Sequence, residues 1–232
     1  MKRIIQQIIR LRNPLFTFDA AVGTDTLIQF VWIEAWNFLR GLRVILFLRR
    51  PKGMLLARRV RFFNMSKIRW GRFVKLGENV WISALGKEGV TVGNHVGIGA
   101  FSRVVVSTSL NNIGAFIRIG HHVSIGEYAY LGGGGGLEIG NETIVGQYFS
   151  CHPENHIYDD ELIPIRRQGV TRKGINIGNN CWIGSKVTVL DGVTIGNGCI
   201  VAAGAVVTQS FPDNVIIGGV PARFIKQKYA QS

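Results

Sequence analysis

Ile177-Gly178-Asn179-Asn180-Cys181-Trp182-Ile183-Gly184-Ser185-Lys186-Val187-Thr188-Val189, followed at the next sixth place by Ile195, carries the beat that decides the fold. An aliphatic residue opens each hexad, and a glycine often follows it. An amphipathic helix would repeat its apolar positions every three to four residues and a half-buried strand every two, so a period of six excludes one long element of either kind. Working outward, the same beat runs from Val92 to Pro212. Its openers are Val92, Ile98, Val104, Ile119, Ile125, Leu131, Ile139, Val145, Cys151, Ile177, Ile183, Val189, Ile195, Val201 and Val207, and ten of these fifteen precede Gly.

Such a repeat predicts a coil with three equal sides. Each opener points into a narrow shared core, and the small residue beside it is expected to let the chain bend at a corner. Ile177 and Ile195 lie eighteen residues apart, one full turn with nothing added, whereas other junctions carry insertions that a stacked coil expels as loops. The longest excursion is residues 157–176, and it follows Cys151-His152-Pro153-Glu154-Asn155-His156.

The repeats, the run Ile177 to Ser185 and the tail Gly219-Val220-Pro221-Ala222-Arg223 resemble the hexapeptide-repeat acyltransferases, above all the galactoside, maltose and cell-surface polysaccharide O-acetyltransferases. The resemblance covers roughly residues 76–226. It implies an all-β solenoid, a left-handed parallel β-helix, assembled as a homotrimer with acetyl-CoA as co-substrate and no metal. The chain divides accordingly into a basic, helical, membrane-associating region over 1–55, the β-helix over 56–220 with its active-site loop at 157–176, and a tail over 221–232 expected to form a short helix.

Charge separates the first region from the rest. The formal net charge is +13; residues 1–75 hold 16 Lys and Arg against 3 Asp and Glu, and the remainder holds 11 of each. Nucleic acid would suit a pI near 10. The basic residues are instead interleaved with Ile, Leu, Phe and Trp, the pattern of segments that lie on an anionic membrane surface. Leu27 to Leu48 is apolar enough to suggest a span, but Glu34, Arg40 and Arg43 would each cost about 2.5 to 3.5 kcal/mol near a bilayer centre. A helix lying in the interface, with Trp32 and Trp36 at the headgroups and Gln29, Glu34, Asn37, Arg40 and Arg43 on the polar side, is the expectation. Residues 1–12 form a second candidate, Ile4, Ile5, Ile8 and Ile9 opposing Lys2, Arg3, Arg10 and Arg12. Packing of both helices on the end of the coil is the alternative. Three cysteines without a secretory signal suit a reducing cytosol, so the reading is a cytoplasmic protein attached through residues 1–50 to the inner membrane face. Cys181 and Cys199, eighteen apart, should stack on neighbouring rungs.

Two histidines beside the longest excursion mark the site. An imidazole can take a proton from a hydroxyl near neutral pH and return it to a departing thiolate, the two proton movements of acyl transfer from a thioester to an alcohol. In the resembled galactoside pattern the catalytic His falls seventeen residues after the Ile that opens its coil, which from Ile139 is His156. His152, Asn155 and Asp159 are supporting candidates. His95, His121 and His122 occupy ordinary turn positions. The resemblance also assigns the donor side: Gly184, Ser185, Ala203, Gly204, Thr208 and Gln209 along the CoA groove, the Ser185 N–H facing the developing oxyanion, with Arg223 and Lys226 near the phosphates; Trp182 either lines that groove or caps a hydrophobic corner. Gln209 stands where many relatives carry Lys. A polar residue that touches sugar in the galactoside and maltose enzymes is here Gly126, so a bulkier, lipid-linked acceptor fits better than a small sugar; the run Gly132 to Gly136 either lets it approach or forms a loose corner. Two rival readings stay open, a carbonic anhydrase of the gamma class with a histidine-bound zinc and a non-catalytic membrane-bound scaffold.

Overall fold

All fifteen openers are buried, none more than 4% exposed. Each hexad also buries the residue two places before its opener, so Cys181 precedes Ile183, Val187 precedes Val189 and Val193 precedes Ile195. Two inward side chains per side give the coil its core. In the computed structural model, which describes residues 2–10 and 15–229, these sides form three sheets of nine, seven and six strands, parallel throughout except for the last strand of the first. Successive strands visit the sheets in rotation: Trp182–Ile183 lies in the first, Thr188–Leu190 in the second, Thr194–Ile195 in the third, and Ile200–Val201 is back in the first. Trp182 pairs with Ile200, Thr188 with Val206 and Asn176 with Thr194, each one turn along.

The glycines do a different job from the one expected of them. Left-handed backbone occurs three residues before an opener, at His122 (φ 56°), Tyr128 (φ 57°), Tyr148 (φ 58°) and Lys186 (φ 59°), so the corners bend at large residues. The glycine after each opener is required by closeness instead. A Cβ on Gly146 would stand 2.6 Å from the Ser185 nitrogen, and one on Gly184 2.5 Å from the Ala203 nitrogen, both backbone atoms of the next turn. The corner side chains stack in turn, His95 on His122 at 4.7 Å and Phe101, Tyr128 and Tyr148 at 5.0 Å each. At the His95–His122 corner, between the third and first sheets, side chains also join the turns: Asn141 Oδ1 accepts from the His121 N–H, Asn179 Oδ1 from Asn141 and Asn197 Oδ1 from Asn179. Those asparagines line a shallow hollow of about 520 Å³ on the third sheet, where they serve the frame.

Cys181 and Cys199 do occupy one column, and both are buried and free, as is Cys151. Burial pushes the Cys181 thiol up to about 11. A raised folded value means the protonated thiol favours the fold, so this stabilisation is whole below the ordinary thiol value of 9.0 and fades as pH rises toward about 11. Native protein at pH 8 should therefore resist a thiol reagent at all three positions and react at all three once unfolded, which a dye-release titration checks.

The N-terminal region begins with α1 (Lys2–Arg10) and α2 (Thr24–Leu42). Met1 and Arg12, read as part of the first helix, lie outside the described residues. The second helix stops at Leu42, earlier than its apolar run, because Arg43–Phe47 tightens into a 3-10 turn and Leu48 adopts φ 57°. Its polar stripe, apart from the exposed Gln29, is also turned the other way from the expectation. Asn37 and Gly41 are buried and Glu34 pairs with Lys75, while Arg43 donates to the Val60 carbonyl. Trp32, Ile33, Trp36 and Leu39 point outward. The helices thus pack on the coil and still present an apolar face. Among the described residues no helix is long and apolar enough to cross a membrane.

The short C-terminal helix is not formed over the described residues. Ala222–Gln227 is a strand, antiparallel to Val215–Gly219, with Gly218 facing Arg223. Gly219 at φ 98° closes the hairpin, and the edge of the first sheet offers Val215 to Gly219 as a partner that a lone helical turn would lack. At the other end, Leu55–Leu56, Arg61–Phe63 and Ile68–Trp70 build the first turn, with Ile68 buried and Arg69 exposed as the alternation predicts.

Candidate active site

The beat breaks at Pro153, and the excursion is itself folded. Ser150–His152 ends a strand of the second sheet; Asn155–His156 then pairs antiparallel with Val170–Thr171, Asn155 opposite Thr171 and His156 opposite Val170. Between those strands Gln168 Nε2 donates to the Asp160 carbonyl at 2.8 Å and its Oε1 accepts from the Asp160 N–H at 3.1 Å. A short helix, Ile165–Gln168, closes the loop. The chain is led back by Asp191, whose carboxylate accepts from the N–H groups of Lys173 at 2.9 Å and Gly174 at 2.8 Å.

This hairpin brings His156 and His152 to one hollow of about 510 Å³, whose floor includes Tyr130 and Gly132 to Gly134. His152 stacks on Tyr130 with ring centres 5.5 Å apart. Burial raises the Tyr130 phenol, and the negative charge of Glu154 raises it further, so Tyr130 stays a hydrogen-bond donor above its ordinary range. Asn155 shares the His156 strand, and Asp159 lies with His156 on a second hollow of about 590 Å³ across the hairpin. The glycine run is not a loose corner. A Cβ on Gly134 would meet Glu154 Oε2 at 2.4 Å and one on Gly135 the Pro153 carbonyl at 2.4 Å, while Gly136 adopts φ 101°. These glycines let the excursion lie directly on the preceding turn.

Arg172 holds the arrangement together, and sequence reasoning missed it. Its guanidinium donates to Asn112 Oδ1 at 2.8 Å, the Ile113 carbonyl at 3.1 Å and Glu154 Oε2 at 3.1 Å. The Glu154 carboxylate is 45% exposed, so that ion pair contributes about 1 kcal/mol at most. Charge-assisted bonds to the Asn112 side chain and the Ile113 carbonyl are each worth more, about 1.5 to 3 kcal/mol. They tie the His156 hairpin to the loop Ser107 to Asn112, which lines the same hollow. One signal for that loop was present: Ile98 to Ile125 is twenty-seven residues, nine beyond a bare turn. Arg172→Ala should loosen the hairpin, read as roughly ten-fold or greater acceleration of amide hydrogen exchange at Asn155 and His156 with the coil amides unchanged. Unchanged exchange at both would mean the pairing of Asn155–His156 with Val170–Thr171 holds without Arg172.

The donor-side residues gather at two other places. Trp182, Gly184, Ser185 and Ala203 line a groove of about 450 Å³, with Trp182 57% exposed on the outer face of the first sheet. It does not cap a hydrophobic corner. Ser185 Oγ donates to Gln147 Oε1 at 2.8 Å, and the Gly204 N–H donates to the Ser185 carbonyl at 2.8 Å. Ser185 sits at the corner between first and second sheets, whereas His156 leaves from the corner between second and third. Thr208 and Gln209 follow the second-sheet strand Val206–Val207, at the His156 corner two turns on. Arg223 and Lys226 are exposed on the closing hairpin. Gly126 has no room for the sugar-touching side chain of the small-sugar pattern, since a Cβ there would lie 2.6 Å from the Gln147 nitrogen. Among the described residues no three of His, Cys, Asp and Glu converge as a metal site.

Residues 174–209 match the bacterial transferase hexapeptide (six repeats) model. It is 29% identical over 188 residues to the putative lipopolysaccharide biosynthesis O-acetyl transferase WbbJ of Escherichia coli, covering 78% of this chain and 88% of that protein. Galactoside O-acetyltransferase of Escherichia coli is 35% identical over 92 residues, 39% of this chain and 44% of that one. A probable acetyltransferase of Mycobacterium tuberculosis is 35% identical over 112 residues, and there the chain spans only 37% of the relative's length. The fold is shared with a mutant of AntD, an N-acyltransferase from Bacillus cereus, with a TM-score of 0.56, 21% identity, and coverage of 76% of this chain and 81% of that one.

Proposed function

We propose that the protein is an O-acetyltransferase that moves the acetyl group of acetyl-CoA onto a sugar hydroxyl of a cell-surface polysaccharide or its lipid-linked precursor. The observation that carries this reading is the position of His156, exposed on a pinned hairpin at the mouth of a glycine-floored hollow. His156 takes the proton of the acceptor hydroxyl as its oxygen attacks the thioester carbonyl. The oxyanion that forms meets the Ser185 backbone N–H; the carbon–sulfur bond then breaks, and the imidazolium returns the proton to the thiolate. The products are an acetyl ester and free CoA thiol, with no covalent enzyme intermediate. Asn155 and Asp159 support the His156 ring, and His152 contacts the acceptor.

The pantetheine arm lies along Trp182, Gly184, Ser185, Ala203 and Gly204, with Thr208, Gln209, Arg223 and Lys226 toward the phosphates. Because Ser185 and His156 stand at different corners of one chain, a complete site draws on two copies, and a homotrimer of left-handed coils supplies three such sites. Residues 1–50 hold the trimer to the cytosolic face of the membrane. The similarity to WbbJ supports a surface glycan as acceptor. The test is release of free thiol from acetyl-CoA by purified protein, expected only when a surface-glycan acceptor is present. No release with a panel of such glycans would overturn the reading.

A further inference from the structure

The N-terminal end of the coil carries a polarity inversion. Val44 is fully buried on the first turn, and the next four residues, Ile45, Leu46, Phe47 and Leu48, face away from it, Leu46 84% and Leu48 96% exposed. Beside them α2 sets Glu34, paired with Lys75, and the buried Asn37 against the coil together with Leu27, and turns Ile28, Trp32, Ile33, Trp36 and Leu39 outward, while Arg43 of the following 3-10 turn donates to the Val60 carbonyl. A water-exposed helix would be mounted the opposite way round. Arg50, Lys52, Arg58 and Arg59 are exposed next to this apolar end, in a region whose charge excess is the whole +13 of the chain. Apolar side chains ringed by cations complement an anionic bilayer, which takes the first into its acyl boundary and the second at its headgroups.

We infer that this end of the coil docks on an anionic bilayer and stands the coil upright, holding the His156 hollow well above the lipid so that it serves a sugar distal to the lipid in a lipid-linked glycan. The height follows from the register. Leu56 pairs with Leu76, Leu76 with Ile98, Ile98 with Ile125 and Ile125 with Val145, the turn that carries His156. Four strand spacings amount to about 19 Å. The outer face of the second sheet marks a track over that height: the Arg61 and Arg103 guanidinium groups lie 4.8 Å and 5.5 Å from the Trp81 ring centre, Arg103 pairs with Tyr130, and Tyr130 stacks on His152. Docking stands independently of the acetyl-transfer reading; the acceptor class rests on it.

The experiment uses the full chain with vesicles of phosphatidylcholine alone or with phosphatidylglycerol, in flotation at low and high salt. Wild type should float with anionic vesicles and be only partly released by salt, because burial of Leu46 and Leu48 is insensitive to it. The double variant Leu46→Glu, Leu48→Glu should float roughly ten-fold less or lower, with an unchanged thermal melt and unchanged thiol release on a soluble acceptor. Orientation is read from a dye on Leu46→Cys or Glu161→Cys, with the native thiols buried. Lipid-borne quenchers should dim the first dye and spare the second. Failure to float, or quenching of both dyes as for a coil lying flat, overturns the docking; binding of another protein without any vesicle binding assigns the face to that protein. Mass spectrometry of extracted lipid-linked glycan should place acetyl groups beyond the sugar bonded to the lipid phosphate. Acetyl confined to that first sugar overturns the spacing, whereas docking without thiol release on any acceptor overturns only the acetyl-transfer reading.

Discussion

His156→Ala should lower turnover by roughly 10² to 10⁴ while CoA binding stays nearly intact. In the proposed reaction the imidazole takes the acceptor proton, whereas the groove assigned to pantetheine lies at another corner with Trp182 and Ser185. His152→Ala should be far milder, since His152 ends a coil strand and leans on Tyr130 rather than riding the hairpin. Stopped assays of thiol release with both variants, alongside calorimetry with CoA, separate the two roles. The opposite ranking would make His152 the base and reduce the count from Ile139 to coincidence.

Phe149→Ala should cost about 3 to 5 kcal/mol, the largest stability loss of any single truncation. Phe149 is fully buried in the turn that feeds the site, and its column neighbours one turn away on either side are Ala129 and Val187. Its ring occupies the space that Ala129 leaves, so truncation opens a cavity that a stacked backbone, fixed by ladders on both sides, cannot collapse. Urea unfolding at constant m-value reads the loss. A change below about 1 kcal/mol would mean the coil closes over the gap more readily than its register suggests.

The hexad beat was legible from Val92 onward because each opener answers to a single demand, burial in a narrow core. The glycines were legible as a pattern but not in their cause. Glycine suits both a left-handed corner and a close approach, and only coordinates show that His122, Tyr128 and Tyr148 take the corner while Gly146 and Gly184 admit the next turn. His156 could be picked out because the beat fails next to it. Arg172 and Asp191 could not: their partners, Asn112 at one and Gly174 at the other, are chosen by where the excursion folds back, which no period encodes. The direction of the α2 polar stripe was hidden for a similar reason. Periodicity locates Glu34, Asn37 and Arg40 on one side of a helix but does not say whether water or the coil receives that side.

The direct measurement is acetylation of surface glycan taken from cells that lack the protein, incubated with acetyl-CoA and purified full-length chain. Wild type should leave base-labile acetyl esters on sugar hydroxyls in step with CoA thiol released, and His156→Ala should leave almost none. Equal acetylation by His156→Ala, or thiol release with no ester on any sugar, would contradict the assignment of both the base and the acceptor.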